Sequence, residues 1–307
     1  MRVTYGYEVE AANDEFLVLA RLVTANLLRA AMPLNFLVNL IPALKYVPPW
    51  MPGGGWKREV LEWRSQKDDL VDGIFNWTKR AIQAGVAQPS VVRTLLADVP
   101  RGEMELEEAE DHIKHMAATM FAAGAETTVT SFMVFVLAMT LYPEVQADAQ
   151  AEIDRVIGPD RLPNMHDQNS LPYVNAVIQE VNRWLPAIPL GMPHRSVKDD
   201  VYRGCLIPKG AIVIGNLWAI THDPAIYPDP ETFNPRRFFE EHIPPAPIFG
   251  WGRRICPGLH IADSTLFIAY ATVLAAFTIS KARDENGEEI IPDTAANEKS
   301  LGFTVQM

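Results

Sequence analysis

The side chains best suited to binding a metal or cofactor lie in one stretch, FGWGRRICPG, at positions 249–258. Its single thiol, Cys256, follows Arg253 and Arg254 and precedes Pro257, whose fixed φ favours the first turn of a helix. The thiol is therefore expected at a helix N-terminus, where the helix dipole and the two guanidinium groups favour the thiolate. The glycines of the stretch permit close approach of a large, flat ligand. A thiolate placed in this way is a soft metal ligand.

The number of cysteines limits the kind of metal centre. One cysteine cannot build a zinc or iron–sulfur site, but it can be the one axial ligand of a haem, whose propionates would pair with arginines. The chain has only one other cysteine, Cys205, which is predicted to be inert. With two cysteines no disulfide framework is predicted, and a reducing compartment is indicated.

Composition excludes one class of function. The chain has 307 residues, of which 48% are hydrophobic, and its net charge is −11. A general nucleic-acid binder needs a basic surface, so that function is not expected. The length allows one large domain or two ordinary ones. The segments read as parts of one body, so a single domain over residues 1–307 is predicted.

The pattern of apolar residues and helix breakers predicts a mainly helical chain with small β-sheets. Helices are predicted over about residues 14–30, 56–84, 144–157, 171–186 and 258–277, with a short one from Pro89 and a long one, after the acidic run 103–111, that ends at Leu141. In residues 201–216, two β-rich runs flank the turn PKG and predict a hairpin. The Asn-Gly pair in DENGEEI predicts a second hairpin near the C-terminus.

Three apolar stretches could lie in the protein core, in a membrane or at the surface. Residues 117–141 are long enough to cross a membrane, but a carboxylate near the middle, Glu126, is costly there, so a buried core helix is favoured. Residues 265–279 are too short to span comfortably. Residues 32–56 are apolar and broken by five prolines and three glycines. They fit an exposed loop or channel mouth as well as a connector packed on the core.

Four motifs resemble those of the cytochrome P450 family, in the family's order and over essentially the whole chain. The first resembles the haem-binding signature, with its fixed positions at Phe249, Gly252, Arg254, Cys256 and Gly258. Glu180-x-x-Arg183 is similar to the family's Glu-x-x-Arg pair, and AGAETT at 123–128 to its oxygen-activation stretch. FNPRRF at 233–238 resembles the loop that supplies a second arginine, Arg237. The stretches YPDPETFNPRRF at 227–238 and YVPPWMPGGGW at 46–56 also resemble those of fungal members of the family that act in secondary metabolism.

The resemblance implies roles for the residues around a haem b. Residues 249–258 become the haem-binding loop, with Cys256 as the axial ligand of the iron. Arg254 pairs with a propionate, and His194 resembles the residue that hydrogen-bonds one. The apolar residues after the Glu-x-x-Arg motif, Ala187, Ile188, Pro189 and Leu190, are candidates for the wall of an apolar substrate pocket.

The long helix and the Glu-x-x-Arg motif receive different roles. Gly124 has no side chain, so a flat ligand can come close, while Glu126 and Thr127 are candidates for moving protons during oxygen activation. Glu180, Arg183 and Arg237 are expected to form a buried carboxylate between two guanidinium groups. A solvated i,i+3 pair is the alternative. The chain has Arg236 where the family often has glutamate, so a changed surface pairing is expected there.

These roles imply a haem-thiolate monooxygenase that inserts one oxygen atom of O₂ into an apolar small molecule. Electrons would come from NADPH through an NADPH-cytochrome reductase that docks on the thiolate side, where Arg253 is a candidate contact. Two alternatives stay open: an O₂-independent haem-thiolate isomerase or dehydratase, and a non-catalytic fragment.

The N-terminus suggests that the chain is a C-terminal portion of the P450 fold, truncated at its N-terminus. The family's membrane anchor and its Trp-x-x-x-Arg contact to a propionate are not recognised in the sequence. The full-length protein is expected on the cytosolic face of the endoplasmic reticulum membrane, held there by such an anchor.

Overall fold

A computed structural model describes residues 1–31, 35–99 and 105–292. The remainder, residues 32–34, 100–104 and 293–307, lies outside this description, together with the first residues of the apolar connector and of the acidic run. The chain divides into two compact units, Met1–Glu126 and Thr127–Met307. The single domain expected from the sequence stays a prediction.

The first unit is helical. Its helices are α1 (Arg2–Tyr5), α2 (Glu15–Ala31), α3 (Gly55–Gln83), α4 (Val91–Ala97) and the beginning of α5 (Leu106–Leu141), with short 3₁₀ turns at Leu37–Asn39 and Pro42–Tyr46. Side chains cap two of them, since Asp14 accepts from the N–H of Leu17 and Ser90 from that of Arg93. Helix α5 begins inside the acidic run, earlier than expected, because two glutamates in its first turn complement the helix dipole.

The core of the first unit is small and partly aromatic. Its buried residues are Tyr5, Ile74, Phe75, Val92, Ile113 and Ala117. In contrast, the described part of the apolar connector lies largely at the surface. Large side chains there are 52–80% exposed, namely Leu37, Leu40, Ile41, Tyr46 and Trp50. Of the two interpretations left open by the sequence, the structure favours the exposed loop.

The second unit contains the rest of α5 and most of the regular structure that follows. Its further elements are α6 (Pro143–Val156), α7 (Pro172–Trp184), β1 (His194–Arg195), β2 (Asp200–Tyr202), β3 (Cys205–Ile207), β4 (Ile212–Val213), α8 (Leu217–Thr221) and α9 (Leu259–Ala276). Three 3₁₀ turns lie at Met165–Ser170, Pro235–Phe239 and Gly252–Arg254. The expected mainly helical chain with small antiparallel sheets is confirmed.

The predicted hairpin around PKG is wrong in its pairing. Strand β2 pairs with β3, and its tight turn is Arg203–Gly204, both with positive φ, 49° and 82°. Two consecutive positive φ angles make the turn that matches the twist of paired strands. The run after PKG, β4, pairs instead with β1, with His194 opposite Val213. The Asn-Gly loop near the C-terminus closes with one antiparallel bridge, Arg283 to Glu289.

The main core of the second unit lies where α5, α6, α7 and α9 contribute apolar side chains. Phe135 of α5 stacks on Tyr270 of α9 at 4.0 Å between ring centroids, and the Tyr270 hydroxyl donates to the carbonyl of Ser131 at 2.8 Å. Burial raises the pKa of Tyr270 well above its ordinary value. Helices α5 and α9 are long and apolar enough to cross a membrane, but a core helix passes the same test. Only 28% of the most apolar window of each helix is buried in this structure, so the fully buried core helix expected over residues 117–141 is not observed.

Buried polar side chains of α6 hold neighbouring segments through backbone groups. The carboxylate of Glu152 accepts from the N–H groups of Tyr173 and Val174, with N···O distances of 2.9–3.1 Å. It thereby caps the N-terminus of α7, where Pro172 contributes no donor. Gln146 exchanges two hydrogen bonds with the backbone of Ile279, at 2.7 and 2.8 Å. Sequence reasoning missed both contacts, because each joins residues remote in the chain.

The Glu152 cap gives a first prediction. Replacing Glu152 with Ala removes a buried charged acceptor of two N–H groups, so the free energy of unfolding should fall by about 2–3 kcal/mol. Urea unfolding of the chain measures this. Glu144→Ala, at an exposed position in the first turn of the same helix, is the matched control and should cost at most about 1 kcal/mol, the size of a helix-dipole contribution. Equal effects of the two substitutions would show that the cap contributes nothing.

Candidate functional site

The cysteine loop is a closed turn that ends at α9. The N–H of Cys256 donates to the carbonyl of Phe249 at 2.9 Å, which joins the two ends of the loop. Gly250 and Gly252 have φ angles of 77° and 60°, a left-handed conformation that other residues rarely adopt. Helix α9 begins only at Leu259, with Gly258 as its N-cap. The sequence suggested that Pro257 belongs to the first helical turn. This is wrong, because Pro257 precedes the cap.

The thiol and its surroundings fit one axial thiolate. Cys256 is half-buried and unpaired with the other cysteine. The side chains of Arg253 and Arg254 are exposed, and within the described ranges neither forms an ion pair. The described residues also contain no group of three or more His, Cys, Asp or Glu that could hold a metal ion. A single thiol beside two free guanidinium groups suits a haem, whose propionates need cations, and no multi-ligand metal site.

The other residues predicted near a haem lie on different elements. His194 lies on β1 with its side chain exposed. Gly124, Glu126 and Thr127 follow one another on a continuous stretch of α5, with Gly124 and Glu126 in the first unit and Thr127 in the second. A Cβ placed on Gly124 would meet no atom within 4 Å. The half-buried Glu126 carboxylate has no ion-pair partner among the residues that the structure describes.

Glu180, Arg183 and Arg237 come together in a buried network. Glu180 and Arg183 are fully buried and Arg237 is 4% exposed. Arg183 binds the carboxylate in a bidentate manner, with Nε and Nη2 each 2.8 Å from one oxygen. The Nε of Arg237 lies 3.2 Å from Glu180 Oε1, which also accepts the N–H of Asn234 at 2.7 Å. The geometry is that of a carboxylate between two guanidinium groups, unlike a solvated i,i+3 pair.

The remaining guanidinium donors bind backbone carbonyls of the segment that follows α8. Arg183 Nη1 donates to the carbonyls of Thr221 and Pro230, at 3.0 and 2.8 Å. Arg237 donates to those of Pro228, Asp229 and Thr232. The network therefore fixes α7 to a long irregular segment that contributes few backbone hydrogen bonds of its own.

Arg236, next to Arg237, forms a pair at the surface. Its Nη2 lies 2.8 Å from Asp148 Oδ2, and both side chains are exposed. The guanidinium also lies 5.3 Å from the centre of the Tyr173 ring. Two consecutive arginines thus occupy opposite environments, one in solvent and one buried.

His222 lies beside the buried network, next to Thr221, whose carbonyl accepts from Arg183. Its ring stacks on Trp218 at 3.8 Å between centroids. The Nδ1 atom lies 3.0 Å from the Trp218 carbonyl and 3.1 Å from the Thr221 hydroxyl. The buried Nε2 has no hydrogen-bond partner in the described part of the chain. Burial lowers the pKa of His222 below its ordinary value, against the bond to Trp218, and the Arg183 charge lowers it further.

The chain belongs to the cytochrome P450 family, whose profile, described as Cytochrome P450, matches residues 1–305. It is 43% identical over 296 residues to a cytochrome P450 monooxygenase of Armillaria gallica, covering 95% of this chain and 58% of that protein. It is 40% identical to the tryptamine 4-monooxygenase of Psilocybe cyanescens, covering 96% of this chain and 60% of that enzyme.

A solved structure of zebra fish cytochrome P450 with abiraterone is similar in fold. The TM-score is 0.76 at 28% identity, and the match covers 96% of this chain and 64% of that one. The chain thus spans between half and two thirds of the length of these relatives.

The two neighbouring arginines give a second prediction. Arg237→Ala leaves part of a buried carboxylate and several carbonyls without donors, so the free energy of unfolding should fall by about 3–5 kcal/mol. Arg236→Ala removes a solvated pair and should cost at most about 1 kcal/mol. Urea unfolding of both variants makes the comparison. Similar small losses would mean that the buried network contributes no more than a surface contact.

His222 gives a prediction about pH. Its folded-state pKa lies below 6.5, so between the two pKa values the unfolded chain binds a proton that the folded chain does not. The contribution of neutral His222 is fully present above about pH 6.5 and decreases as the pH falls below it. His222→Gln should flatten the decrease in unfolding free energy between about pH 6.5 and 5. His166→Gln, at an exposed histidine, should leave the slope unchanged. An unaltered slope in His222→Gln would contradict the assignment.

Proposed function

We propose that this chain carries the haem-thiolate centre of a monooxygenase that inserts one oxygen atom of O₂ into an apolar small molecule. The observation that carries the proposal is the closed loop 249–258, with one half-buried thiol and two exposed arginines without carboxylate partners in the described residues. The similarity to fungal cytochrome P450 monooxygenases supports the same function. The proposal concerns the whole protein, of which this chain supplies the thiolate side.

Cys256 would hold the haem iron through its thiolate, and Arg254 and His194 would bind the propionates. When bound, haem b supplies the iron centre at which O₂ is activated, with electron density donated by the thiolate. Gly124 presents a surface without a side chain, so a flat ligand can lie against α5. Phe249, Gly252 and Gly258 shape the loop around the sulfur.

Glu126 and Thr127 hold and move protons. A half-buried carboxylate without an ion-pair partner in the described structure can exchange a proton more readily than one fixed in a salt bridge. The Thr127 hydroxyl lies next to it in the chain and provides a second exchangeable proton. Both roles belong to oxygen activation, and neither residue is needed to hold the cofactor.

Substrate and setting follow from surface chemistry and from the relatives. Residues 187–190 are apolar and partly exposed, which suits the wall of a pocket for an apolar substrate. Relatives from fungi support a place in fungal secondary metabolism. Electrons come from NADPH through a reductase docked near Arg253. The exposed apolar loop 36–51 suits contact with the endoplasmic reticulum membrane on its cytosolic face, beside an N-terminal anchor in the full-length protein.

The two cysteines provide the test of the thiolate assignment. Haem titration of the purified chain should give binding with a red-shifted Soret band in the ferrous carbonyl spectrum. Cys256→Ser should lose that band, because a hydroxyl is a poor ligand for this purpose, while Cys205→Ser should keep it. Retention of the band in Cys256→Ser, or no haem binding by the unsubstituted chain, would contradict the proposal.

Activity separates the proposed reaction from its alternatives. With a reductase present, the monooxygenase consumes NADPH and O₂ together with substrate. An O₂-independent isomerase or dehydratase turns over without either reagent. A haem-loaded chain that does neither is a non-catalytic fragment.

A further inference from the structure

We propose that Trp251, packed on Gly215, positions the cysteine loop against the strand that carries His194. Trp251 is then a positioning residue for Cys256. The inference rests on the proposed haem-thiolate function and adds to it the contact that determines where the thiolate is held. Trp251 is not one of the fixed positions of the loop motif.

The indole of Trp251 lies directly on the backbone of Gly215. A Cβ built on Gly215 would lie 2.8 Å from Cζ3 and 3.1 Å from Cη2 of the indole. The first distance is shorter than side-chain carbons tolerate, so any side chain at this position must displace the ring. The two residues are 36 positions apart in the chain, so the contact is tertiary.

A second glycine, Gly191, packs closely on the backbone of Gly215. Gly191 has a φ of 61°, and a Cβ on it would lie 2.9 Å from the carbonyl oxygen of Gly215. The N–H of Trp218 donates to the carbonyl of Pro189 at 2.8 Å, which holds the same two segments together. Three segments are thus packed in order: the proposed pocket wall, the chain after β4, and the cysteine loop.

The consequence for the thiol follows from the closure of the loop. Trp251 lies between Phe249 and Cys256, whose backbone hydrogen bond of 2.9 Å closes the turn. A displacement of the indole that rotation of its side chain does not absorb therefore moves the backbone that carries the sulfur. On the other side, Gly215 follows Val213, which pairs with His194. The contact between Trp251 and Gly215 therefore links Cys256, the proposed axial ligand, with His194, a proposed propionate partner.

The exposure of Trp251 distinguishes positioning from simple core packing. The side chain is 53% exposed, so its hydrophobic burial is modest compared with that of a core tryptophan. What the contact provides is close packing of the indole on a backbone without a side chain. The effect of disturbing it should appear at Cys256 before it appears in global stability.

The test is a double-mutant cycle with a readout that needs no haem. In a Cys205→Ser background, Cys256 is the only thiol, and its rate of reaction with a small aromatic disulfide reports the state of the loop. Gly215→Ala should raise this rate about tenfold and weaken haem binding by a similar factor, because the methyl group displaces the indole. Gly55→Ala, where a Cβ meets nothing within 4 Å, is the control and should change neither value.

Trp251→Ala supplies the decisive comparison. It should itself raise the thiol rate, and in its presence Gly215→Ala should add nothing, since the ring that the methyl group displaces is absent. Additive effects, or an unchanged thiol rate in both single variants, would overturn the inference. A change in the unfolding midpoint alone would do the same, because it indicates a structural contact only. Failure of the unsubstituted chain to bind haem would instead contradict the proposed function, since the thiol cycle is measured without haem.

Discussion

The buried carboxylate of Glu180 is the constraint on which the second unit depends. A charge with no solvent exposure is tolerated only when its oxygens are fully bonded, and here two guanidinium groups and one backbone N–H supply the donors. The same guanidinium groups then need acceptors, and they find them in carbonyls of the segment 221–232. Charge pairing thereby imposes a conformation on a stretch that has little regular structure. That stretch leads, through the turn Pro235–Phe239, towards the cysteine loop.

The same principle recurs around the helices. Glu152 satisfies the first N–H groups of α7, and Gln146 binds both backbone groups of Ile279. Each contact satisfies a buried polar group with a hydrogen bond. It also fixes the relative position of two segments, which apolar packing alone would leave less well defined. Exposed pairs such as Arg236 with Asp148 use similar atoms but remain in solvent, where water competes for every hydrogen bond. Burial, and not the number of ion pairs, separates the contacts that determine the fold.

The cysteine loop depends on the backbone as much as on the thiol. Two left-handed glycines and the bond from Cys256 to Phe249 determine how the chain turns before α9. The packing of Trp251 on Gly215 then places this turn against the small sheet. Close packing requires the absence of a side chain at Gly215, and the loop backbone determines where the Cys256 side chain lies. In this region glycine therefore serves two purposes, turn geometry inside the loop and room for a neighbour outside it.

The amino-acid sequence by itself determined most of the local structure and predicted the type of site. Helix boundaries follow from apolar periodicity, caps and prolines. The thiol among glycines and arginines indicates one axial ligand, because these residues are neighbours in the sequence. Residues 180 and 183 could be placed on one helix face by spacing alone. Only tertiary structure decided that Arg237 is buried while Arg236 is solvated, because neighbouring side chains point into different surroundings. It also decided that β4 pairs with β1, that Glu152 caps α7 and that Trp251 rests on Gly215. These contacts join residues far apart in the chain, and their energies depend on distances that no local pattern contains.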